Sequence, residues 1–175
     1  MANMCVNNVY VYGDEKHLKK LYNIMCDMQY KASSDLDEVF YALGADRNRS
    51  YCRAWLDDVS YSDNVELRFS CESAWSEPSE LFEFLCEKMP GIEIQFTAEE
   101  VGSSYFVTTD PNGLKYCTVI DGVWEYHYSL EELLECVNDI YGEEFTTLEE
   151  VVEFGKHTKE FELYEYELVE SYPRI

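Results

Sequence analysis

The sequence predicts an α+β protein with an antiparallel sheet. Two patterns alternate along the chain and carry that reading. Residues 4–12 are a run of strand formers, and Ile92, Ile94 and Phe96 alternate as a half-buried strand does. Between such runs, apolar residues recur at helical spacing, as at Leu18, Leu21, Tyr22, Met25 and Met28. The turn dipeptides Gly13-Asp14 and Pro90-Gly91 separate the two patterns.

The first strand, residues 4–12, ends at Gly13-Asp14, where Asp14 is placed to cap the helix just named. Ser34 is placed to cap a short helix over Leu36, Val39, Phe40 and Leu43, stopped by Gly44. A strand is expected near residues 51–59. The turn signal Ser62-Asp63-Asn64 then leads into a strand at 65–71 and makes a hairpin. Ser76 opens the next helix, with Pro78 in its first turn, where a missing N–H does no harm. Its stripe is Leu81, Phe82, Leu85 and Met89, and Pro90-Gly91 stops it before the strand at Ile92.

Residues 103–109 and 114–120 read as two further strands, joined by a turn at Asp110-Pro111-Asn112-Gly113. Asp121-Gly122 turns the chain into another at 123–128. Ser129 with Glu132, and Thr147 with Glu150, match the capping box, so a helix begins at each. The first helix buries Leu130, Leu133, Leu134, Val137, Ile140 and Tyr141. The second buries Leu148, Val151 and Val152, and Gly155 ends it. A last strand is expected over 159–169. The best boundary is the turn at 110–113. It divides a domain at 1–109 from an acidic strand-helix-helix-strand extension at 110–175, packed on the same core.

Through residue 100 the order is strand, helix, two strands, helix, strand. That is the βαββαβ order of ferredoxin-like folds, with helices on one face of the sheet. Met1-Ala2-Asn3, followed by an apolar strand with Asn7 and Asn8, resembles the start of the YubB-like ferredoxin-like proteins. So does the stretch from Leu67 through Trp75, Pro78, Phe82, Leu85, Pro90 and Ile92 to Glu99-Glu100-Val101-Gly102. Met4 departs from the pattern, standing where that family usually carries Trp. The resemblance covers residues 1–109. It implies a ferredoxin-like fold and an origin on phages, plasmids or integrated elements, and it implies no catalytic residues.

Charge carries the functional reading. The formal net charge is −23, from 36 Asp and Glu against 13 Lys and Arg. Residues 1–60 carry −2, residues 61–120 carry −8 and residues 121–175 carry −13. Such a field repels nucleic acid and anionic membrane and draws in basic partners or cations. With 46% hydrophobic and 15% aromatic residues, the chain has the composition of a folded core and not of a disordered acidic tail. The seven Cys contain no CxxC pair and sit mostly in apolar patterns, as Cys71 and Cys86 do. They read as reduced thiols of a cytoplasmic protein. The N-terminus shows no leader pattern, and no segment reaches the roughly 18 apolar residues that span a bilayer. No membrane partner is expected.

Catalytic chemistry finds no anchor. His17, His127 and His157 lie far apart and in no HExxH or HxH pattern. The Asp110-Pro111-Asn112-Gly113 segment lacks the alternating ligands and closing Glu of a calcium loop and reads as a type I turn. No GxSxG, P-loop or GxGxxG occurs. Many Cys–His pairs can be drawn and nothing selects one. The expectation is a non-enzymatic protein without catalytic residues, metal or cofactor.

The acids form faces. Glu131, Glu132, Glu135 and Asp139 lie away from the apolar stripe of the 130–141 helix, and Glu149, Glu150 and Glu153 do the same on the 147–155 helix. In the last strand, Glu160 and Glu162 fall on one face and Glu165 and Glu167 on the other, unless a bulge at Leu163-Tyr164 brings them together. Alternate strand residues repeat at roughly 6.7 Å, and phosphates advance about 3.4 Å per step of a DNA strand. Rows of carboxylates can therefore approximate the charge density of a duplex. The expectation is a mobile-element inhibitor that mimics DNA. It would occupy the basic nucleic-acid channel of a host defence protein, such as a CRISPR effector or restriction enzyme, and bind no nucleic acid itself. Tyr164 and Tyr166 would be anchors if they face outward and core residues if not. Two alternatives stand beside it. One is a mobile-element interaction module without mimicry, for example a homodimer. The other is a small cation-binding or hydrolytic protein whose site only a tertiary structure reveals.

Overall fold

A computed structural model of the chain describes residues 3–62 and 66–173. Asp63 and Asn64 of the predicted hairpin turn, and Val65, the predicted start of the next strand, lie outside the described residues. The protein is mixed α+β and divides into two compact units. One holds the described residues through 105 together with 169–173, and the other is Phe106–Leu168.

The first unit contains β1 (Met4–Tyr12), α1 (Glu15–Tyr30), α2 (Asp37–Ala42), β2 (Ala54–Ser62), β3 (Glu66–Ala74), α3 (Ser79–Lys88) and β4 (Glu93–Glu100). Its strands lie in the order β2-β3-β1-β4, each antiparallel to its neighbours. Strand alternation sends Cys5, Asn7, Val9 and Val11 of β1 inward, and Val9 stands opposite both Phe69 and Phe96. The helices cover this inward face. Leu18, Leu21 and Met25 of α1 and Leu81, Phe82 and Leu85 of α3 are fully buried, and the Phe82 ring lies 5.3 Å from that of Phe96.

Local chemistry explains the boundaries. The Asp14 carboxylate accepts the Lys16 N–H at 2.9 Å and starts α1. Ser34 does not cap α2, which starts at Asp37 after Leu36. Asp37 instead turns its carboxylate to the N–H groups of Tyr51 and Cys52, each at 2.9 Å, and holds the approach to β2. The third helix begins at Ser79, not Ser76. Ser76 is still in the turn out of β3, where its carbonyl accepts the Ser73 hydroxyl at 2.5 Å and Trp75 takes a positive φ of 77°. The closing residues return to this unit. Tyr172 exchanges two backbone hydrogen bonds with Ile94, at 2.8 and 2.9 Å, and its buried ring packs 5.3 Å from Phe82.

The second unit takes up most of β5 (Tyr105–Thr108), then β6 (Tyr116–Ile120), β7 (Val123–His127), α4 (Leu130–Tyr141), α5 (Leu148–Gly155), β8 (Phe161–Glu165) and β9 (Glu167–Leu168). Strands β7, β6 and β8 form an antiparallel sheet in that order. Ile120 and Phe161 on one face of it build a core with Leu133 and Val137 of α4 and Val151 of α5. The Asp110–Gly113 turn forms as predicted, with the Gly113 N–H on the Asp110 carbonyl at 3.0 Å. It falls inside this unit, so the division between units comes earlier than the predicted boundary. The single strand expected over 159–169 is broken at Tyr166, whose N–H donates to the Lys115 carbonyl at 2.9 Å. Beyond it, β9 leaves β8 and pairs in parallel with β5, Val107 opposite Glu167 and Thr108 opposite Leu168. Among the described residues, no helix is long and apolar enough to cross a membrane.

Candidate functional site

The second unit concentrates the charge. Its 63 residues hold 16 Asp and Glu against three Lys, and residues 116–155 contain no Lys or Arg. Two capped helices position much of that charge. The Ser129 hydroxyl accepts the Glu132 N–H at 3.2 Å, while the Glu132 carboxylate accepts the Tyr128 N–H at 2.7 Å. Thr147 and Glu150 form the full capping box. With Leu133, Val137 and Val151 drawn into the core, the opposite faces carry Glu131, Glu132, Glu135, Asp139, Glu149, Glu150 and Glu153, all exposed. Glu131, Glu135 and Asp139 succeed one another at four-residue intervals and make one stripe along α4.

Some of these acids have local tasks. Glu132 and Glu150 close helix ends, and the N–H groups of Thr146 and Thr147 hold the Glu150 carboxyl below its usual value. Glu153 pairs with Lys156 at 2.6 Å and meets His157 at 3.3 Å, and these partners lower it too. No other ion pair in this unit joins an acid to a base among the described residues.

The strand acids are exposed as well, but they do not form one row. Pairing of β6 with β8 runs from Tyr116 opposite Glu165 to Ile120 opposite Phe161 without a shift. The bulge that would gather the acids is absent from β8, so Glu162 and Glu165 lie on opposite faces of the sheet. Glu160 precedes the strand with a positive φ of 62°, and Glu167 belongs to β9. The stripe on α4 is thus more regular than the closing strand.

The two tyrosines part company. Tyr166 is buried, its ring 5.5 Å from Phe106 at a right-angled tilt, and this removes it as a surface anchor. Tyr164 is half-buried between Phe106, stacked at 4.2 Å, and Trp124, parallel at 6.3 Å. Burial, with the hydrogen bond its hydroxyl gives Glu162, pushes the Tyr164 phenol up to about 12. Trp124 and Tyr126 follow each other on the same face of β7, stacked at 6.5 Å and both exposed. Sequence reasoning passed over this aromatic face. Its signal was the alternation Trp124, Tyr126, Tyr128 in a strand, which reads equally well as core.

Other chemistry is sparse. His127 is buried with Nε2 3.0 Å from the Thr118 hydroxyl, and burial lowers its pKa and favours the neutral ring. Burial also pushes the Cys5 and Cys52 thiols up to about 12, so neither is a ready nucleophile. A cleft of about 380 Å³ in the first unit is lined by Arg53, Trp75, Glu77 and Cys52 among others, and within it the Ser79 hydroxyl donates to the exposed Glu80 carboxylate at a long 3.4 Å. Among the described residues, no three His, Cys, Asp or Glu side chains gather as a metal site. No family model matches the chain, and no curated protein or solved structure matches it.

Proposed function

We propose that the protein is a non-enzymatic acidic decoy that occupies the basic nucleic-acid channel of a host defence protein, of the CRISPR-effector or restriction-enzyme kind. The observation that carries this reading is the stripe Glu131, Glu135 and Asp139, exposed on a helix that contains no Lys or Arg. Residues four apart on a helix advance about 6 Å, close to the roughly 6.8 Å that two phosphate steps cover on one DNA strand. Like charges at that spacing destabilise a helix by about 0.2–0.5 kcal/mol per pair. Solubility does not require this, since a net charge of magnitude about 2–8 serves a small domain and this unit carries −13.

The first unit is the scaffold in this reading. Its strand order β2-β3-β1-β4 supports a ferredoxin-like assignment, with α2 as an added helix. The resemblance to YubB-like proteins over residues 1–109 supports an origin on a mobile element. Seven free cysteines suit the reducing cytoplasm of a bacterial host.

A second reading, an interaction module without mimicry, is favoured by Met4, Val6 and Trp55, which are exposed on the outer face of the first unit's sheet. Salt separates the two, because exposed charges are screened and apolar contacts are not. Immobilised protein is exposed to host lysate at low and at high salt. The decoy reading expects nucleic-acid-binding proteins retained at low salt and released at high salt, with retention weakened by the combined variant Glu131→Gln, Glu135→Gln, Asp139→Asn. Retention that ignores salt favours the second reading. Failure to retain any nucleic-acid-binding protein at low salt removes the first.

A further inference from the structure

We infer that the outer face of the β7-β6-β8 sheet is an arginine-binding surface, at which Trp124 and Tyr126 take a guanidinium of the partner on their ring faces and Glu162 accepts its N–H groups. The inference rests on the acidic reading for the sign of the partner, and it adds the residue type recognised and the place.

Cross-strand register builds the surface. Val119 of β6 stands opposite both Trp124 of β7 and Glu162 of β8, so the three form one row across the sheet. The next row on the same face is Tyr126, Cys117 and Tyr164, where Cys117 is buried with Phe106 and Tyr166, so along β6 the face is open only at the Trp124 end. Trp124 and Glu162 stand two strands apart, about 9.6 Å at the backbone, with the half-buried Val119 between them. Trp124 is 38% exposed and Tyr126 44%. Their rings are inclined by only 25°, and Trp124 and Tyr164 by 7°, so the faces of neighbouring rings are presented in nearly one orientation. The Tyr164 hydroxyl donates to the Glu162 carboxylate and positions it beside the row. Asp121 and Glu160, joined by the Asp121 N–H on the Glu160 carbonyl at 3.0 Å, add two exposed acids at the Trp124 end of the sheet.

The chemistry selects among ligands. A nucleobase would stack as well, but its phosphate enters a unit with net charge −13 and is repelled. A neutral sugar gains nothing from that charge. Lysine has the right sign, but its ammonium is a strongly hydrated point charge without a flat face. Arginine stacks on aromatic rings and presents forked N–H groups to a carboxylate. The basic channel of a nucleic-acid-binding protein supplies such side chains.

The test titrates the 175-residue chain with two acetylated peptides of equal charge, one alternating Gly and Arg and one alternating Gly and Lys. The Trp124 indole N–H resonance reports binding. The expected result is arginine peptide bound about fivefold more tightly than lysine peptide, with the Trp124 signal shifting. The preference should vanish in Trp124→Leu, which keeps apolar bulk without a ring face, and shrink in Glu162→Gln. The combined α4 charge variant should weaken both peptides alike and leave the preference intact. Equal binding of the two peptides overturns the arginine surface while leaving the acidic reading standing. Binding of neither peptide at low salt counts against both. A Trp124 shift produced by a neutral oligosaccharide and not by the arginine peptide overturns the assignment as well.

Discussion

Thr147 and Glu150 satisfy each other's backbone: the Thr147 hydroxyl accepts the Glu150 N–H at 3.3 Å, and the Glu150 carboxylate accepts the Thr147 N–H at 3.1 Å. Glu150 also takes the Thr146 N–H at 2.7 Å. This acid is therefore structural, although it lies among the charges assigned to partner binding. Thr147→Ala should lower stability by about 1 kcal/mol, read by chemical denaturation, while folded protein keeps its partner affinity. Because the native pKa of Glu150 is depressed, its contribution is present above the unfolded value and is lost as pH falls through the native one. Glu150→Gln should flatten that part of the acid limb.

Glu135 stands between Glu131 and Asp139 on α4 and repels both. Glu135→Lys turns two repulsions into two attractions. It should raise stability by a few tenths of a kcal/mol for each pair and weaken retention of a basic partner in the same protein. A thermal melt and the low-salt capture assay report the two effects. A gain in stability with unchanged capture would mean that the stripe only solubilises.

Asp37 is, with Glu100, one of two buried carboxylates among the described residues of the first unit. Burial raises its pKa, and hydrogen bonds from the Cys52 N–H, the Ser50 hydroxyl and the Tyr51 N–H outweigh it, so the net shift is downward from 3.8. Its stabilisation is present above the unfolded value and fades as pH falls through the lower native one. Asp37→Ala leaves two backbone donors without their acceptor and should cost about 2 kcal/mol near neutral pH. The deficit should narrow in strong acid, and denaturation at a series of pH values measures it.

Gly155 ends α5 under the ring of Phe161, where an added Cβ would come within 2.7 Å of two ring carbons. Gly155→Ala must displace that ring from the core it shares with Leu133, Val137 and Val151. A loss of about 1–3 kcal/mol is expected. The Phe161 ring resonances should shift even where the protein remains folded.

Local signals made much of this fold legible. Asp14, Ser129 and Thr147 announce helix starts because a cap is a contact within four residues, and the Asp110 turn is equally local. Ser34 misled because its carbonyl takes the N–H of Leu56, 22 residues away, at 2.6 Å, and the Asp35 carboxylate accepts the Asp37 N–H at 3.0 Å in its place. The return of Tyr172 to Ile94 joins positions 78 residues apart and leaves no local mark. The acidic helix faces were visible from periodicity alone. The strand acids were not, because their facing depends on whether β8 carries a bulge, and pairing with β6 decides that. The aromatic face needed the register of three strands to bring Trp124, Val119 and Glu162 into one row.

If the acidic unit competes for the surface that nucleic acid uses, duplex DNA should displace it from a partner. A partner captured at low salt is challenged with increasing duplex DNA, and its release is measured against an equal negative charge of a flexible polyanion. The decoy should be released by the duplex at lower charge than by the polyanion, and more easily in the variant Glu131→Gln, Glu135→Gln, Asp139→Asn. A partner that binds duplex DNA and this protein at the same time, with no displacement at any duplex concentration, would contradict that competition.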